Sequence, residues 1–261
     1  MLQLQDKGAS GTAPATRMLV SAGARALGEL LITAGIILVL FIGWQLWWTN
    51  VESDAAQRGV VRDFVRQLDA SSLQETPGAG TSVESMDGPV VVAAEPAAGE
   101  TIGLLYVPRF GGGYTRPIVQ GTGPSVLDTL GVGHYEGTSM PGAEGNFALA
   151  GHRQTHGAVL DDIETLVPGD RIYVQTRDGY YVYLFRNSEI VLPTRTDVLL
   201  PVPNKPAASP REAYLTMTSC NPRFGSQERF IAYATLERWQ PASAGPPADI
   251  AAQAGRTIRE E

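Results

Sequence analysis

The residues of this chain that are best suited to covalent chemistry lie in one stretch near its C-terminal end. Cys220 is the only cysteine among the 261 residues. It lies between two runs rich in Thr, Tyr, Ile, Phe and Leu, 213–219 and 229–236, whose pattern is typical of β-strands. The segment between the two runs contains Pro222 and Gly225, so we predict a loop there.

The predicted strand pairing brings a cation next to this thiol. If the two strands pair antiparallel, the end of the first strand lies near the start of the second, at one end of the sheet. Cys220 and Arg229 are therefore expected to be neighbours. An arginine beside a thiol favours the nucleophilic thiolate, and its guanidinium can hydrogen-bond an oxyanion that develops on an attacked carbonyl. The alternative is a buried, unreactive cysteine.

Three histidines are available as the base for a His-assisted cysteine nucleophile: His134, His152 and His156. His152 follows the apolar run NFALA and a glycine, which places it where a strand ends and a loop begins. His152 and His156 have the spacing of a helical zinc-binding pair, but glycines bracket the segment and Arg153 stands where an acid is expected. We therefore expect no bound metal and no cofactor, and a structural hydrogen-bonding role for His134.

The elements that must position these groups form an all-β pattern over residues 101–240. Short strand-like runs alternate with turn residues, and the helical candidates in this region are short, at 125–130 and 158–166. Asp178 and Gly179 give a strong hairpin signal. The predicted strands are 102–107, 146–150, 171–175, 180–185, 189–192 and the two that flank the cysteine. This pattern favours a closed or partly closed β-barrel with short helices.

An uncharged apolar stretch at residues 30–48 precedes this domain and ends in a tryptophan-rich sequence. As a helix it would cover roughly 28 Å, close to the thickness of the hydrocarbon core of a bilayer. It is longer than the apolar part of a signal peptide, no small-residue cleavage site follows it, and it lacks the polar face of a core helix. We therefore predict a single transmembrane helix, while the charges on its two sides leave its orientation open.

The remaining segments are predicted from their composition. Residues 1–29 are small and polar, and we expect a disordered tail there. Residues 49–100 are expected to form a juxtamembrane helix at 51–68, which has a helical apolar stripe, followed by a flexible stalk rich in Ala, Gly, Ser, Pro and Glu. Residues 241–261 lose the strand pattern and are predicted to be a disordered C-terminal tail.

Composition and charge also narrow the class of function. The net charge is −7, and no cluster of Lys or Arg is present. Phosphate binding needs such a cluster, so we expect no nucleic-acid partner. A single cysteine forbids a disulfide within the chain, and an unpaired thiol in an oxidising compartment indicates a reactive group.

Three motifs in a fixed order point to a family. The segments GHYEGTSMPG, GNFALAGHR and LTMTSCNPRFGSQER follow one another between residues 102 and 239. Together they resemble the sortases, the membrane-anchored cysteine transpeptidases of Gram-positive bacteria. The Thr-X-Thr-Ser-Cys-Asn-Pro form, the GHY motif and the uncharged N-terminal anchor are most similar to class E, the actinobacterial housekeeping type. Ser219 stands where class E members more often have threonine, and it retains the hydroxyl group.

The resemblance implies a sortase-like eight-stranded β-barrel outside the cell, with the N-terminus in the cytoplasm and one helix in the membrane. By position, it implies that Cys220 is the nucleophile, His152 the catalytic histidine and Arg229 the catalytic arginine. The predicted substrate-binding residues flank the nucleophile: Thr218, Ser219 and Asn221.

The resemblance also implies a reaction. A sorting motif of the type Leu-Ala/Pro-X-Thr-Gly, near the C-terminus of a surface protein, would be cleaved between Thr and Gly. The cysteine forms a thioacyl intermediate, the histidine protonates the departing amine, and the arginine stabilises the oxyanion. An amine of a peptidoglycan precursor would then resolve the thioester. The implied partners are surface proteins with the motif, the cell-wall precursor and the membrane.

Two other functions are alternatives. Another cell-wall cysteine transpeptidase, such as an L,D-transpeptidase, typically has a Ser-His-Gly-Cys context, whereas Cys220 here lies between Ser219 and Asn221. A non-catalytic anchored binding module would bury Cys220 and would show no thiol reactivity.

Overall fold

The computed structural model describes residues 14–74, 89, 91 and 94–259. The chain divides into two compact units, residues 1–48 and residues 49–261. In the first unit the described residues belong to helix α1, Pro14–Gln74. Large apolar side chains along the predicted span are exposed, as expected for a surface that lipid would cover. Among the described residues one helix is long and apolar enough to cross a membrane, which is compatible with the predicted anchor.

The N-terminal tail and the stalk differ from the predictions where the structure describes them. Residues 14–29 are helical, because this segment is rich in Ala, Leu, Arg and other good helix formers. The predicted disordered tail is therefore absent from these residues, and residues 1–13 lie outside the described part of the chain. The predicted stalk begins with the last turn of α1. Its residues 75–88, 90 and 92–93 lie outside the described residues.

The second unit begins with the C-terminal part of α1. Residues 49–74, which include the predicted juxtamembrane helix at 51–68, are helical. Val61, Phe64 and Val65 are buried at helical spacing, so they occupy one face of the helix. Each such side chain contributes about 1.5–3 kcal/mol when fully buried. They pack in a cluster with Leu104, Tyr106, Tyr173, Tyr180, Val182, Ile250 and Ala254.

Eight strands follow: β1 Thr101–Tyr106, β2 Thr115–Gln120, β3 Val132–His134, β4 Gly145–Ala150, β5 Arg171–Gln175, β6 Gly179–Val191, β7 Ala213–Asn221 and β8 Glu228–Pro241. They form a closed barrel in the order β1-β2-β3-β4-β7-β8-β6-β5. The pairs β2–β3 and β4–β7 are parallel, and the other pairs are antiparallel. The predicted eight-stranded barrel is therefore confirmed, as is the hairpin between β5 and β6.

Strand β7 is buried on both of its faces. Leu215 and Met217 point into the main apolar core and are fully buried. Thr216, between them, is also buried, and its Oγ1 donates a hydrogen bond to Asn146 Oδ1 at 2.7 Å. A strand that is covered on both faces and hydrogen-bonded on both edges holds its end in place, so it is a rigid support for Cys220.

Short helices connect the strands. Helix α2, Pro124–Leu127, overlaps the first half of the predicted segment 125–130, and a 3-10 helix at Ile163–Thr165 lies within the predicted segment 158–166. Other 3-10 helices lie at Pro108–Phe110, Asp197–Leu199, Ala242–Ala244 and Ala248–Ile250.

The segment after β8 packs against the rest of the second unit, to which it belongs. Helix α3, Ala251–Arg259, follows the last 3-10 helix. Ile250 and Ala254 are buried in the same cluster as the buried face of α1. Hydrogen bonds add to this packing, since Gln253 Nε2 donates to the Tyr114 carbonyl oxygen and Arg256 Nη2 donates to the Gly112 carbonyl oxygen. Over residues 241–259 the structure therefore differs from the predicted disordered tail.

Candidate active site

Cys220 and Arg229 lie on neighbouring strands at one end of the barrel. In the antiparallel register of β7 and β8, Cys220 is directly opposite Arg229. Directly opposed residues have Cα atoms about 4.5–5.5 Å apart and side chains on the same face of the sheet. The predicted pairing of Cys220 with Arg229 across the two strands is therefore confirmed. Cys220 is a free thiol of intermediate exposure, so a reagent or substrate can reach this residue.

The parallel pairing of β4 with β7 places His152 at the same end of the barrel as Cys220. Ala150 lies opposite Thr218 in this register. Gly151 extends the pairing, because its N–H donates to the Thr218 carbonyl oxygen at 3.1 Å. His152 and Cys220 each follow the Ala150–Thr218 pair by two residues. Since parallel strands end at the same edge, the histidine enters its loop at the level of the cysteine.

Arg153, which the sequence analysis did not select as a functional residue, ties this loop to the cysteine strand. Its side chain is only 1% exposed. Nη1 donates to Asn221 Oδ1 at 2.7 Å and to the Cys220 carbonyl oxygen at 3.3 Å. Nη2 donates to the carboxylate of Glu164. Because Arg153 is next to His152 in the chain, these bonds fix the loop of the histidine against the end of β7.

Two of the predicted substrate-binding residues, Thr218 and Ser219, have their hydroxyl groups bonded inside the protein. Both side chains are buried. Thr218 Oγ1 lies 3.0 Å from the hydroxyl of Tyr135. Ser219 Oγ donates to the carbonyl oxygen of Gly151 at 2.8 Å. These contacts support the backbone on both sides of the cysteine and histidine segments.

The third predicted substrate-binding residue, Asn221, is also buried. Its Oδ1 accepts from Arg153, and its Nδ2 donates to Glu228 Oε2 at 2.8 Å. The contacts of these three residues are thus internal ones, and their role in substrate binding stays a prediction.

The guanidinium of Arg229 is partly buried and is held by backbone groups. Nη1 donates to the carbonyl oxygens of Ser226 at 3.0 Å and Glu228 at 2.9 Å. Within the part of the chain that the structure describes, no carboxylate pairs with Arg229. Its charge and its remaining N–H groups therefore stay available for a carbonyl or oxyanion of a substrate.

His152 has a carboxylate partner that the sequence analysis missed. Its Nε2 lies 2.6 Å from Asp128 Oδ1, just after helix α2. A carboxylate at this distance fixes the orientation of the imidazole. Asp128 is 24 residues from His152 in the chain, and no local motif joins the two, so the sequence carries no signal for this contact.

Helix α1 bonds to the two segments that carry Asp128 and His152, through side chains that belong to the second unit. Ser53 Oγ donates to the Asp128 carbonyl oxygen at 2.8 Å. Asn50 Oδ1 accepts from the N–H of Gly157 at 2.9 Å. One helix therefore fixes the backbone after α2 and the backbone of the histidine loop at the same time.

His134 has the structural role that was predicted for it. Its ring is fully buried. Nδ1 lies 2.8 Å from Gln120 Oε1, and Nε2 lies 2.9 Å from Thr138 Oγ1. Burial lowers the pKa of His134 from its ordinary value of 6.5, and the Ser139 carbonyl and the charge of Glu95 oppose this shift. Both ring nitrogens are occupied by neighbours, which excludes this histidine as a partner for the thiol.

Comparison with known proteins decides the family. The sortase domain family matches residues 105–237. The chain belongs to the sortase family. Sortase SrtE1 of Streptomyces coelicolor is 36% identical over 230 residues, which cover 85% of this sortase and 60% of that protein. Sortase SrtE2 of the same organism is 34% identical over 225 residues, which cover 81% of this sortase and 81% of that protein.

A solved structure agrees with this assignment. Sortase E1 from Streptomyces coelicolor, with a tripeptide in the active site, matches this sortase with a TM-score of 0.53 and 38% identity. The match covers 58% of this chain and 96% of that one. The predicted sortase family and the similarity to class E are confirmed. This sortase spans 60% of the length of SrtE1, and the catalytic roles of Cys220, His152 and Arg229 stay predictions.

Proposed function

We propose that this sortase is a membrane-anchored cysteine transpeptidase that cleaves a C-terminal sorting motif between Thr and Gly. The observation that carries this proposal is the placement of Cys220 directly opposite Arg229 and at the level of His152. A thiol, an imidazole and an unneutralised guanidinium at one edge supply the nucleophile, the proton carrier and the oxyanion donor that acyl transfer needs.

In the first half-reaction, the thiol proton of Cys220 passes to His152, the sulfur attacks the carbonyl carbon of the motif threonine, and a C–S bond forms. Arg229 donates hydrogen bonds to the oxyanion. The C–N bond to glycine then breaks, and His152 protonates the departing amine, because an amine anion is too basic to leave. Asp128 keeps the imidazole oriented during this transfer.

In the second half-reaction, an amine of a peptidoglycan precursor attacks the thioester. His152 accepts a proton from this amine, a new amide bond forms, and the Cys220 thiolate leaves. The surface protein is thereby joined to the precursor. The internal bonds of Arg153 support this sequence of steps, since they keep the histidine loop against the end of β7.

The substrate and the location complete the proposal. The substrate is a surface protein with a motif of the type Leu-Ala/Pro-X-Thr-Gly, and the peptide in the active site of the Sortase E1 structure supports a peptide substrate. Residues 30–48 cross the membrane, the N-terminus is cytoplasmic, and the barrel lies outside the cell. The long apolar helix with exposed side chains supports this anchor.

Mass spectrometry of the full chain in detergent tests the reaction. The chain is incubated with Leu-Ala-X-Thr-Gly or Leu-Pro-X-Thr-Gly peptides, with and without an amine acceptor. We expect an acyl adduct on Cys220 that the acceptor discharges, and no adduct in Cys220→Ala. His152→Ala and Arg229→Ala should lower kcat/KM by about 10²–10⁴. An adduct in the alanine variant, or acylation by peptidoglycan stem peptides alone, contradicts the proposal.

The single cysteine gives a direct test of the topology. A maleimide that does not cross membranes should label Cys220 in intact cells as completely as in permeabilised cells. Labelling that requires permeabilisation would place the barrel on the cytoplasmic side and contradict the proposed orientation.

A further inference from the structure

Three metal-ligating side chains converge beside the proposed active site. They are Asp128, His152 and His156, and their ligand atoms all lie within 4.8 Å of one another. His152 Nε2 lies 2.6 Å and His156 Nδ1 lies 3.9 Å from the same Asp128 oxygen, Oδ1. The two imidazole rings lie 5.0 Å apart, centre to centre. Cys220 is not part of this cluster.

The donor set and the spacing suit one class of cation. Two imidazole nitrogens and one carboxylate oxygen are the ligands that Zn²⁺ prefers in open sites with an exchangeable fourth position. In a tetrahedral zinc site, bonds of about 2.0–2.1 Å place ligand atoms about 3.3 Å apart. The observed separations of 2.6 and 3.9 Å lie on either side of this value. The separation between the two imidazole ligand atoms is at most 4.8 Å, so side-chain rotations that move these atoms by roughly 1.5 Å or less close the site around a metal.

Hydrogen bonds from helix α1 hold the backbone at His156 in the conformation that brings its imidazole towards His152. His156 has a φ of 54°, in the left-handed region that non-glycine residues rarely adopt. Its carbonyl oxygen accepts a hydrogen bond from Gln57 Nε2 at 3.3 Å. The next residue, Gly157, is bonded to Asn50. The reversal of the chain at this position brings the second imidazole back towards the first.

The surroundings leave room for a fourth ligand. The side chains of His152, His156 and Asp128 are 27%, 32% and 39% exposed. A cavity of about 230 Å³ lies beside them and is lined by Asp128, His156, Glu52, Ser53, Thr49 and Thr129. A water molecule can complete the coordination from this cavity. A metal in such a site exchanges with solvent, unlike a structural zinc that is enclosed by four protein ligands.

We propose that Asp128, His152 and His156 bind a divalent transition metal, with Zn²⁺ as the preferred ion, and that the bound metal switches off transpeptidation. The inhibitory part rests on the proposed function. A metal bound to His152 Nε2 occupies the nitrogen that now contacts Asp128, and it removes the imidazole from proton transfer. This proposal reverses the expectation of no metal, which considered the two histidines without a carboxylate between them. The carboxylate comes from a distant part of the chain.

Direct metal binding tests the site without any turnover. The full chain with Cys220→Ala, in detergent and without a polyhistidine tag, is titrated with Co²⁺ and with Zn²⁺. Co²⁺ should produce the visible absorption of a four-coordinate nitrogen and oxygen site, and Zn²⁺ should displace it. His156→Asn should weaken binding by about ten-fold or more, and asparagine tolerates the left-handed backbone. Equal affinity with and without His156, or no binding at all, overturns the proposal.

Two carboxylate variants separate ligation from net charge. Asp128→Asn and Asp162→Asn each remove one negative charge in the same background, and Asp162 lies outside the cluster. Asp128→Asn should weaken metal binding by about ten-fold or more, and Asp162→Asn should leave it unchanged. Equal weakening in the two variants shows a general electrostatic effect and overturns the site.

Inhibition is measured in the chain with Cys220 present. In thiol-free buffer, Zn²⁺ should inhibit cleavage of a sorting peptide, a chelator should restore it, and His156→Asn should raise the half-inhibitory concentration by about ten-fold or more. An unchanged half-inhibitory concentration overturns the regulatory claim. The failure of the proposed function is distinguishable from the failure of this inference, because metal binding is measured in a chain that needs no activity.

Discussion

The buried guanidinium of Arg153 gives the sharpest test of how the candidate active site is assembled. Arg153→Ala removes the donors for Asn221 Oδ1 and the Cys220 carbonyl oxygen. It also removes the packing of the guanidinium over the ring of Phe230, at 5.8 Å. The variant leaves every proposed catalytic side chain in place, so a change in rate reports on the position of these groups.

The magnitude follows from these contacts. A buried polar group without a partner costs about 1–3 kcal/mol, and two acceptors lose a donor here. Glu164 adds little, because its side chain is 49% exposed and water can hydrate it. The expected loss of stability is about 3 kcal/mol. For a unit of this size, 1 kcal/mol corresponds to about 2–4 °C, so the Tm should fall by roughly 10 °C.

The expected effect on turnover is larger than a stability loss alone would give. A displacement of about 1 Å between reacting groups can cost about 10²-fold in rate. We therefore expect kcat/KM for a sorting peptide to fall by about 10²-fold at a temperature where the variant is folded. Thermal unfolding by intrinsic fluorescence and peptide cleavage, both on the full chain in detergent, measure the two effects.

Arg195→Ala is the matched control, since Arg195 is exposed and its guanidinium bonds the surface groups Asp197 and Asn204. It should leave the Tm and kcat/KM unchanged. Arg153→Lys keeps the charge but lacks the two-armed donor geometry, so it should fall between the wild type and Arg153→Ala. The proposed role of the Arg153 bonds is refuted if Arg153→Ala unfolds at the same temperature as Arg195→Ala and has the kcat/KM of the wild type.

Three further predictions concern the loop and the core. Asn50→Ala removes the acceptor for the Gly157 N–H, so kcat should fall several-fold while the Tm changes little; an unchanged kcat would show that the loop does not need this contact. Gly151→Ala places a Cβ 2.7 Å from Val159 Cγ2, which should cost about 1–3 kcal/mol in chemical denaturation; a neutral result would mean that the apolar neighbours shift freely. Burial lowers the pKa of His134 in the folded state, so below the ordinary value of 6.5 the unfolded chain binds the extra proton. Stability should therefore decrease as the pH falls through this value, and His134→Asn should flatten this slope in thermal scans; a slope equal to that of the wild type would assign the pH dependence to other groups.

Local pattern was sufficient to predict the parts of the site that lie on regular strands. The alternation of Thr216 and Thr218 with apolar residues, and the loop marked by Pro222, predict two antiparallel strands, and that pairing alone places Cys220 opposite Arg229. His152 follows from the same kind of reasoning, because an apolar run that ends in glycine marks the end of a strand. Period-two patterns are local, so one sequence is enough to read them.

The remaining contacts depend on tertiary pairings that no local pattern encodes. Arg153 looks like a solvated cation in the sequence, yet it is buried because Asn221 and Glu164 come from distant segments to bond it. The same applies to Asp128, which reaches His152 across 24 residues. The C-terminal helix was missed because its apolar contacts, Ile250 and Ala254, are too few to produce a periodic signal on their own.

The position of His152 depends on two tethers of different kinds. Arg153 is buried, so its bonds to the end of β7 contribute both to folding and to the placement of the loop. Asn50 is half-buried, so water can replace the partner that the Gly157 N–H loses in Asn50→Ala at little cost in stability. The two tethers should therefore separate in experiments: loss of the first lowers Tm and rate together, and loss of the second lowers the rate alone. If Asn50→Ala lowers the Tm as much as Arg153→Ala does, the contacts of α1 are part of the folding core, and the distinction between the two tethers is wrong.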